Sequence, residues 1–139
     1  MSGEEGRGLG GVGIDLVEPG RLEAALARHP ALIDRLFTAG ERAYADRGAR
    51  PILHLAARFS AKEAVAKALR LSAFEWREIE VLGGGADARL ALHGGAEERR
   101  RELGVEVAIS LTHVEAMAGA VAALVDRGPD DSSRSSTKD

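Results

Sequence analysis

The chain has 139 residues, 45% of them hydrophobic and 29% charged, with a formal net charge of −3. That fits one domain with a real core and gives no electrostatic reason to expect nucleic-acid binding. Cysteine is absent, which excludes disulfides, thiolate metal sites and a cysteine nucleophile. The oxygen and imidazole ligands that remain favour a hard cation such as magnesium if a metal is used.

In chain order, residues 1–8 are rich in Gly and Glu and are expected to be disordered. "LGGVGIDLVE" alternates, with Val12, Ile14 and Leu16 on one face and Gly11, Gly13 and Asp15 on the other. This predicts a strand whose glycine face lets another element approach closely. "GRLEAALARH" reads as a helix, and Pro30 opens a short second one, "ALIDRLF". Thr38 and Glu41 have capping-box spacing and start a helix expected to end near Gly48. After Pro51 comes a long helix containing "RFSAKEAVAKAL". At roughly 100° per residue it is apolar nearly all the way round, which marks a buried helix. "REIEVL" and "ARLALH" bracket "GGGADA" as a hairpin. "AEERRREL" is a helix stopped by Gly104, its charge run read as a solvated face. "VEVAISLT" is a strand with Val105, Val107, Ile109 and Leu111 inward, ending at His113. "AMAGAVAALV" fits a buried strand or an alanine-rich helix equally. The closing "GPDDSSRSSTKD" reads as a solvated tail. The expected organisation is a domain over 9–126 with disordered ends at 1–8 and 127–139, and the class is α+β. No signal peptide or apolar run of spanning length is evident, so a cytoplasmic location without membrane partners is expected.

Three polar groups stand out: Asp15 on the glycine face, Glu63 on the buried helix, and His113 at a strand end. Taken singly, Asp15 reads as a turn or capping aspartate, and His113 as a satisfied surface or core histidine. Glu63 with Lys67 reads as an i,i+4 ion pair. Taken together, Asp15 and Glu63 suit a magnesium site, which uses one or two carboxylates and fills the rest with water and phosphate oxygens. Lys67 lies one turn on, placed to meet phosphate charge. Glycines 83–85 lack a following GK[ST] and dinucleotide spacing, so they form a turn rather than a phosphate loop.

These features also carry a family resemblance. "GVGIDLVE", "LFTAGE", "RFSAKEAVAKAL", "FEWREIEVL" and "ISLTHVEAMAGAVAAL" stand in order over roughly residues 10–126. The chain resembles the holo-acyl-carrier-protein synthases, the small bacterial branch of the 4′-phosphopantetheinyl transferases. The resemblance implies an antiparallel sheet packed against a long buried helix, and it turns "AGAVAALV" into a strand. It also implies a homotrimer with sites between subunits. Its residue-level implications are Asp15 and Glu63 as magnesium ligands, with manganese as a substitute, and Lys67 on the coenzyme A diphosphate. Thr112 and His113 would touch the coenzyme A phosphates, and Arg58 would line the same pocket.

The implied reaction moves 4′-phosphopantetheine from coenzyme A to a serine of apo acyl carrier protein, releasing adenosine 3′,5′-bisphosphate. It belongs to fatty-acid biosynthesis. Glu63, Lys67 and His113 are the expected catalytic residues. Arg21 and Arg35 match basic positions on the family's carrier-binding helix. Arg28 continues their seven-residue spacing and reads equally as an ordinary surface arginine. The chain departs from many relatives in having "RLSAF" where they have a glycine-bearing "GTG", Val114 where they have Asp, and a hairpin without Gly-x-Pro. Two competing readings are a coenzyme A or nucleotide-binding module without transfer, and a transferase serving a secondary-metabolism carrier.

Overall fold

A computed structural model describes residues 9–127, so the expected disorder of 1–8 and 128–139 lies outside the described residues. Arg127, one residue past the expected domain boundary, donates its backbone N–H to the Gly104 carbonyl at 3.3 Å.

Strand β1 (Leu9–Val17) leads into helix α1 (Pro19–Arg28), where Pro19 occupies the first turn and loses no needed hydrogen bond. Helix α2 (Leu32–Leu36) follows the break at Pro30. Helix α3 (Ala39–Asp46) opens with the predicted capping box: Glu41 N–H donates to Thr38 Oγ1, and Thr38 N–H donates to Glu41 Oε1 at 2.9 Å. Helix α4 (Pro51–Leu69) starts on Pro51 and stops at Arg70, whose φ of 56° is left-handed. Strands β2 (Ile79–Leu82) and β3 (Arg89–Leu92) form the predicted hairpin. Helix α5 (Gly94–Leu103) ends at Gly104, and β4 (Val105–Val114) and β5 (Met117–Asp126) complete the chain.

The main sheet is antiparallel in the order β1-β5-β4, and α4 packs across its inner face. Alanines 56, 57, 61, 64, 66 and 68 of α4 are buried; their small size lets sheet, helices and hairpin close on it from several sides. Val65 and Leu69 meet Ile79 and Val81 of the hairpin and Ala120, Ala122 and Leu124 of β5 in one core cluster. Leu55 and Ala56 meet Leu22, Leu36, Phe37 and Ala118 in another. The "AGAVAALV" segment is therefore a strand.

Two contacts fix α4 in place. On the sheet side, a Cβ on Gly13 would overlap the backbone carbonyl of Ala64, so glycine is what allows strand and helix to touch. On the hairpin side, Lys62 is fully buried and forms a 2.8 Å ion pair with buried Glu41. Its ammonium also donates to the carbonyls of Trp76 (3.0 Å) and Ile79 (2.5 Å), while Glu41 Oε2 accepts from Val81 N–H at 2.7 Å. Burial pushes the Lys62 pKa down, and Glu41 opposes that shift.

The α5 charge run is more than a solvated face. Arg100 clamps Glu97 through two hydrogen bonds of 2.7 and 2.8 Å and donates to the Val105 carbonyl, docking the helix on β4. The Arg100 hydrogen bond holds the Glu97 carboxyl down at about 2.

Removing one partner of a buried ion pair strands the other. Lys62→Met and Glu41→Gln should each destabilise by about 3–5 kcal/mol. In urea titrations the double variant should cost less than the sum, with a coupling of about 1–3 kcal/mol. Strict additivity would show that the pair does not act as a unit.

Candidate active site

The antiparallel run of β1 along α4 places Asp15 opposite Ser60. Ser60 Oγ donates to the Asp15 carbonyl at 2.9 Å and lies 3.2 Å from Asp15 Oδ2, which fixes the carboxylate's direction. The Lys67 ammonium bonds Asp15 Oδ1 and the Ile14 carbonyl, both at 3.1 Å. Lys67 is thus paired across to β1, rather than to Glu63 one turn back as the i,i+4 spacing suggested. Glu63 is half-buried beside both groups. Burial first, and the Asp15 charge second, push its pKa up; Lys67 pulls it down.

Two neighbouring carboxylates with one amine, paired to Asp15, leave negative charge that a cation would neutralise. All the donors are oxygen, the ligand type of a hard divalent cation. No cluster of three or more acidic or histidine side chains able to hold a metal occurs among the described residues. A magnesium ion here would therefore draw most of its octahedron from water and ligand oxygens. The residues present fit that ion.

Arg58, Thr112 and His113 come together elsewhere, around a cavity of about 310 Å³ that is also lined by Tyr44, His54 and the Gly84–Gly85 turn. Asp15, Glu63 and Lys67 do not line it. Arg58 is buried, with its guanidinium 4.0 Å from the centre of the Tyr44 ring and a hydrogen bond to the Gly83 carbonyl. Its Nε has no partner among the described residues, and burial pushes its pKa down. Within one chain the predicted residues therefore fall into two groups.

Arg21, Arg28 and Arg35 are all exposed. Arg21 lies 3.6 Å from Glu18. Arg28 ends α1 and Arg35 sits on α2, so the break at Pro30 divides them between two helices. A larger cavity of about 680 Å³ lined by Arg35, Thr38, Trp76 and His93 shares only Arg35 with the predicted set.

Sequence reasoning missed Ser60, which orients Asp15, and the Lys62–Glu41 pair behind Glu63. It also missed Tyr44 and His54 in the cavity. A serine one turn before Glu63, and a lysine inside a helix apolar all round, were the available signals.

The 4′-phosphopantetheinyl transferase superfamily matches residues 11–120. A holo-[acyl-carrier-protein] synthase from Moorella thermoacetica is 48% identical over 114 residues, 79% of this chain and 89% of that protein. Among solved structures, the Mycobacterium tuberculosis acyl carrier protein synthase is similar at a TM-score of 0.66 and 36% identity, covering 86% of this chain and 99% of that one. The synthase–CoA complex from Chronobacterium ammoniagenes is similar at a TM-score of 0.74 and 30% identity, covering 84% of this chain and 97% of that one.

A raised Glu63 pKa means the folded state holds that proton more tightly than the unfolded state does. Any stability Glu63 contributes is therefore present below the ordinary value of 4.5 and is lost as pH rises through the raised one. In EDTA at pH 7, Glu63→Gln should melt at a higher temperature than the wild type, and the gap should close below pH 4.5. A Gln variant that is less stable at pH 7 would show that Glu63 is not strained there.

Proposed function

The chain belongs to the 4′-phosphopantetheinyl transferase superfamily, and on that premise we propose how its residues divide the chemistry. It is an enzyme that transfers the 4′-phosphopantetheine group of coenzyme A to a serine of apo acyl carrier protein, giving the holo protein and adenosine 3′,5′-bisphosphate. The observation that carries the assignment of roles is the meeting of Asp15, Glu63 and Lys67 where β1 touches α4. A module that only bound coenzyme A would have no need of two carboxylates held in mutual repulsion.

The serine oxygen attacks the β-phosphorus, and the bond from that phosphorus to the bridging oxygen breaks. The electron pair leaves with adenosine 3′,5′-bisphosphate. Asp15 and Glu63 would hold magnesium, with manganese as a substitute, and the ion supplies charge screening at the diphosphate. Glu63 accepts the serine proton as general base. Lys67 turns from Asp15 toward the charge growing on the leaving phosphate. Arg58, Thr112 and His113 bind coenzyme A phosphate groups. Arg21 and Arg35, with Arg28 between them, meet the acidic surface of the carrier. Fatty-acid biosynthesis in the cytoplasm is the setting that belongs to this reading.

A homotrimer is part of the same proposal. Val12, Ile14, Leu16, Val114, Met117, Val121 and Val125 are exposed, and the strand register puts them all on the outer face of the β1-β5-β4 sheet. Such a contiguous apolar face favours burial against another copy. The division of the predicted residues into two groups supports a site completed by a second subunit, whose Arg58–His113 cavity would face the first subunit's Asp15–Glu63 group.

Five outcomes are expected. Incubated with coenzyme A, magnesium and apo carrier protein, the enzyme should add one phosphopantetheine mass to the carrier. EDTA should abolish this and magnesium or manganese should restore it; full activity in EDTA after exhaustive dialysis would sink the metal role. Glu63→Gln should lose turnover by at least about a hundredfold, and wild-type rates in this variant would move the base elsewhere. Reversing Arg21 and Arg35 to Glu should raise the KM for carrier, more at low salt than at high, and spare that for coenzyme A. Ile14→Lys should convert a trimer into monomers by light scattering, with loss of transfer; a fully active wild-type monomer would exclude the composite site.

A further inference from the structure

His54 projects from the first turns of α4 into the cavity that holds Arg58, Thr112 and His113. Its ring meets the His113 ring edge-on with centroids 5.5 Å apart, and the Tyr44 ring edge-on at 5.4 Å. On a third side it fills the space over Gly48, where a Cβ would collide with His54 Nε2 and Cδ2. The ring is thus held by three neighbours, two from α3 and its exit turn and one from β4, and the last is the histidine assigned above to coenzyme A phosphate. The residues lining the cavity include no carboxylate. Its charged and titratable groups are Tyr44 from α3, His54 and Arg58 from α4, and His113 from β4, with Arg47 behind the Tyr44 ring. An anion is the ligand that such a surround lacks.

We propose that His54 is a positioning residue for coenzyme A binding: it sets the His113 ring against the cavity and takes up a proton when a phosphate group enters. The inference rests on the assignment of His113 to coenzyme A phosphate. In the free enzyme, two imidazoles in contact beside a buried guanidinium disfavour protonation. Burial first, then His113 and Arg58, push the His54 pKa down. A bound phosphate reverses that balance, because its negative charge stabilises an imidazolium. Binding and protonation are then linked, so coenzyme A should bind more tightly as pH falls from 8 toward 6, by at most about tenfold per pH unit for one proton.

The test compares wild type, His54→Phe, Gly48→Ala and His113→Ala. Phe keeps an aromatic edge against Tyr44 and His113 but cannot take a proton. Ala at position 48 leaves His54 in the chain but pushes its ring out of place. Titration calorimetry of coenzyme A in two buffers of different ionisation heat counts protons taken up, and steady-state kinetics give KM and kcat against pH. Subtracting His54→Phe from wild type cancels the titration of coenzyme A's own phosphate. The expected result is proton uptake in the wild type that His54→Phe largely loses, with a flatter KM profile. Gly48→Ala should show the same loss. Wild-type proton uptake and KM profile in His54→Phe, with coenzyme A affinity weakened in His113→Ala, would reduce His54 to packing and overturn the inference alone. Unchanged affinity in His113→Ala would overturn the placement of coenzyme A here, and the inference with it.

Discussion

The contact between Gly13 and the Ala64 carbonyl is the constraint on which the rest of the molecule depends. Any side chain at position 13 would hold β1 away from α4, and Asp15 is on the same face two residues on. With the strand seated, Ser60 reaches the Asp15 backbone and carboxylate, and Lys67 spans from the helix to the same carboxylate. The Asp15 and Glu63 carboxylates are therefore brought together by backbone proximity rather than by long flexible side chains. That is the rigidity a phosphoryl transfer needs, since the enzyme's contribution is largely positioning and charge.

The three charged residues of "AKEAVAK" divide between two sides of one helix. Lys62 turns to the hairpin, where Glu41 and two carbonyls satisfy it in full. Glu63 and Lys67 turn to β1. The buried pair ties α3, α4 and β2 together through a carboxylate that also caps α3, so a shift of the hairpin would strain the helix that carries Glu63. Glu63 itself is held in a setting that disfavours its charge. A carboxylate held this way weakens the fold at neutral pH, the kind of cost that marks a candidate functional site.

Much of this was legible in the sequence because the signals were local. The alternation of "GVGIDL" separated a glycine face from an apolar face, Thr38 and Glu41 announced their capping box, and Gly104 marked a helix end. The glycine face of β1 was legible as the one another element approaches, but the exposure of its Val12, Ile14 and Leu16 face was not. Lys62 was unreadable because its carboxylate partner lies on another helix and its remaining acceptors are backbone carbonyls. The alanine-rich β5 carries too weak a contrast to declare its period, although Ala118, Ala120, Ala122 and Leu124 do alternate inward. Local spacing pointed Lys67 at Glu63, while the fold supplied a better oriented carboxylate in Asp15. His54 was hidden because its neighbours lie outside α4, Tyr44 and Gly48 at the end of α3 and His113 on β4.

The most direct test of the central claim adds one methyl group at Gly13. In Gly13→Ala, circular dichroism should still report the wild-type helix and strand content below the melting transition. Transfer of phosphopantetheine, followed by carrier mass, should slow by about a hundredfold, the cost of misplacing a reacting group by about an ångström. A folded Gly13→Ala enzyme with wild-type turnover would contradict the account, because strand and helix would then not need to touch for Asp15 and Glu63 to work together.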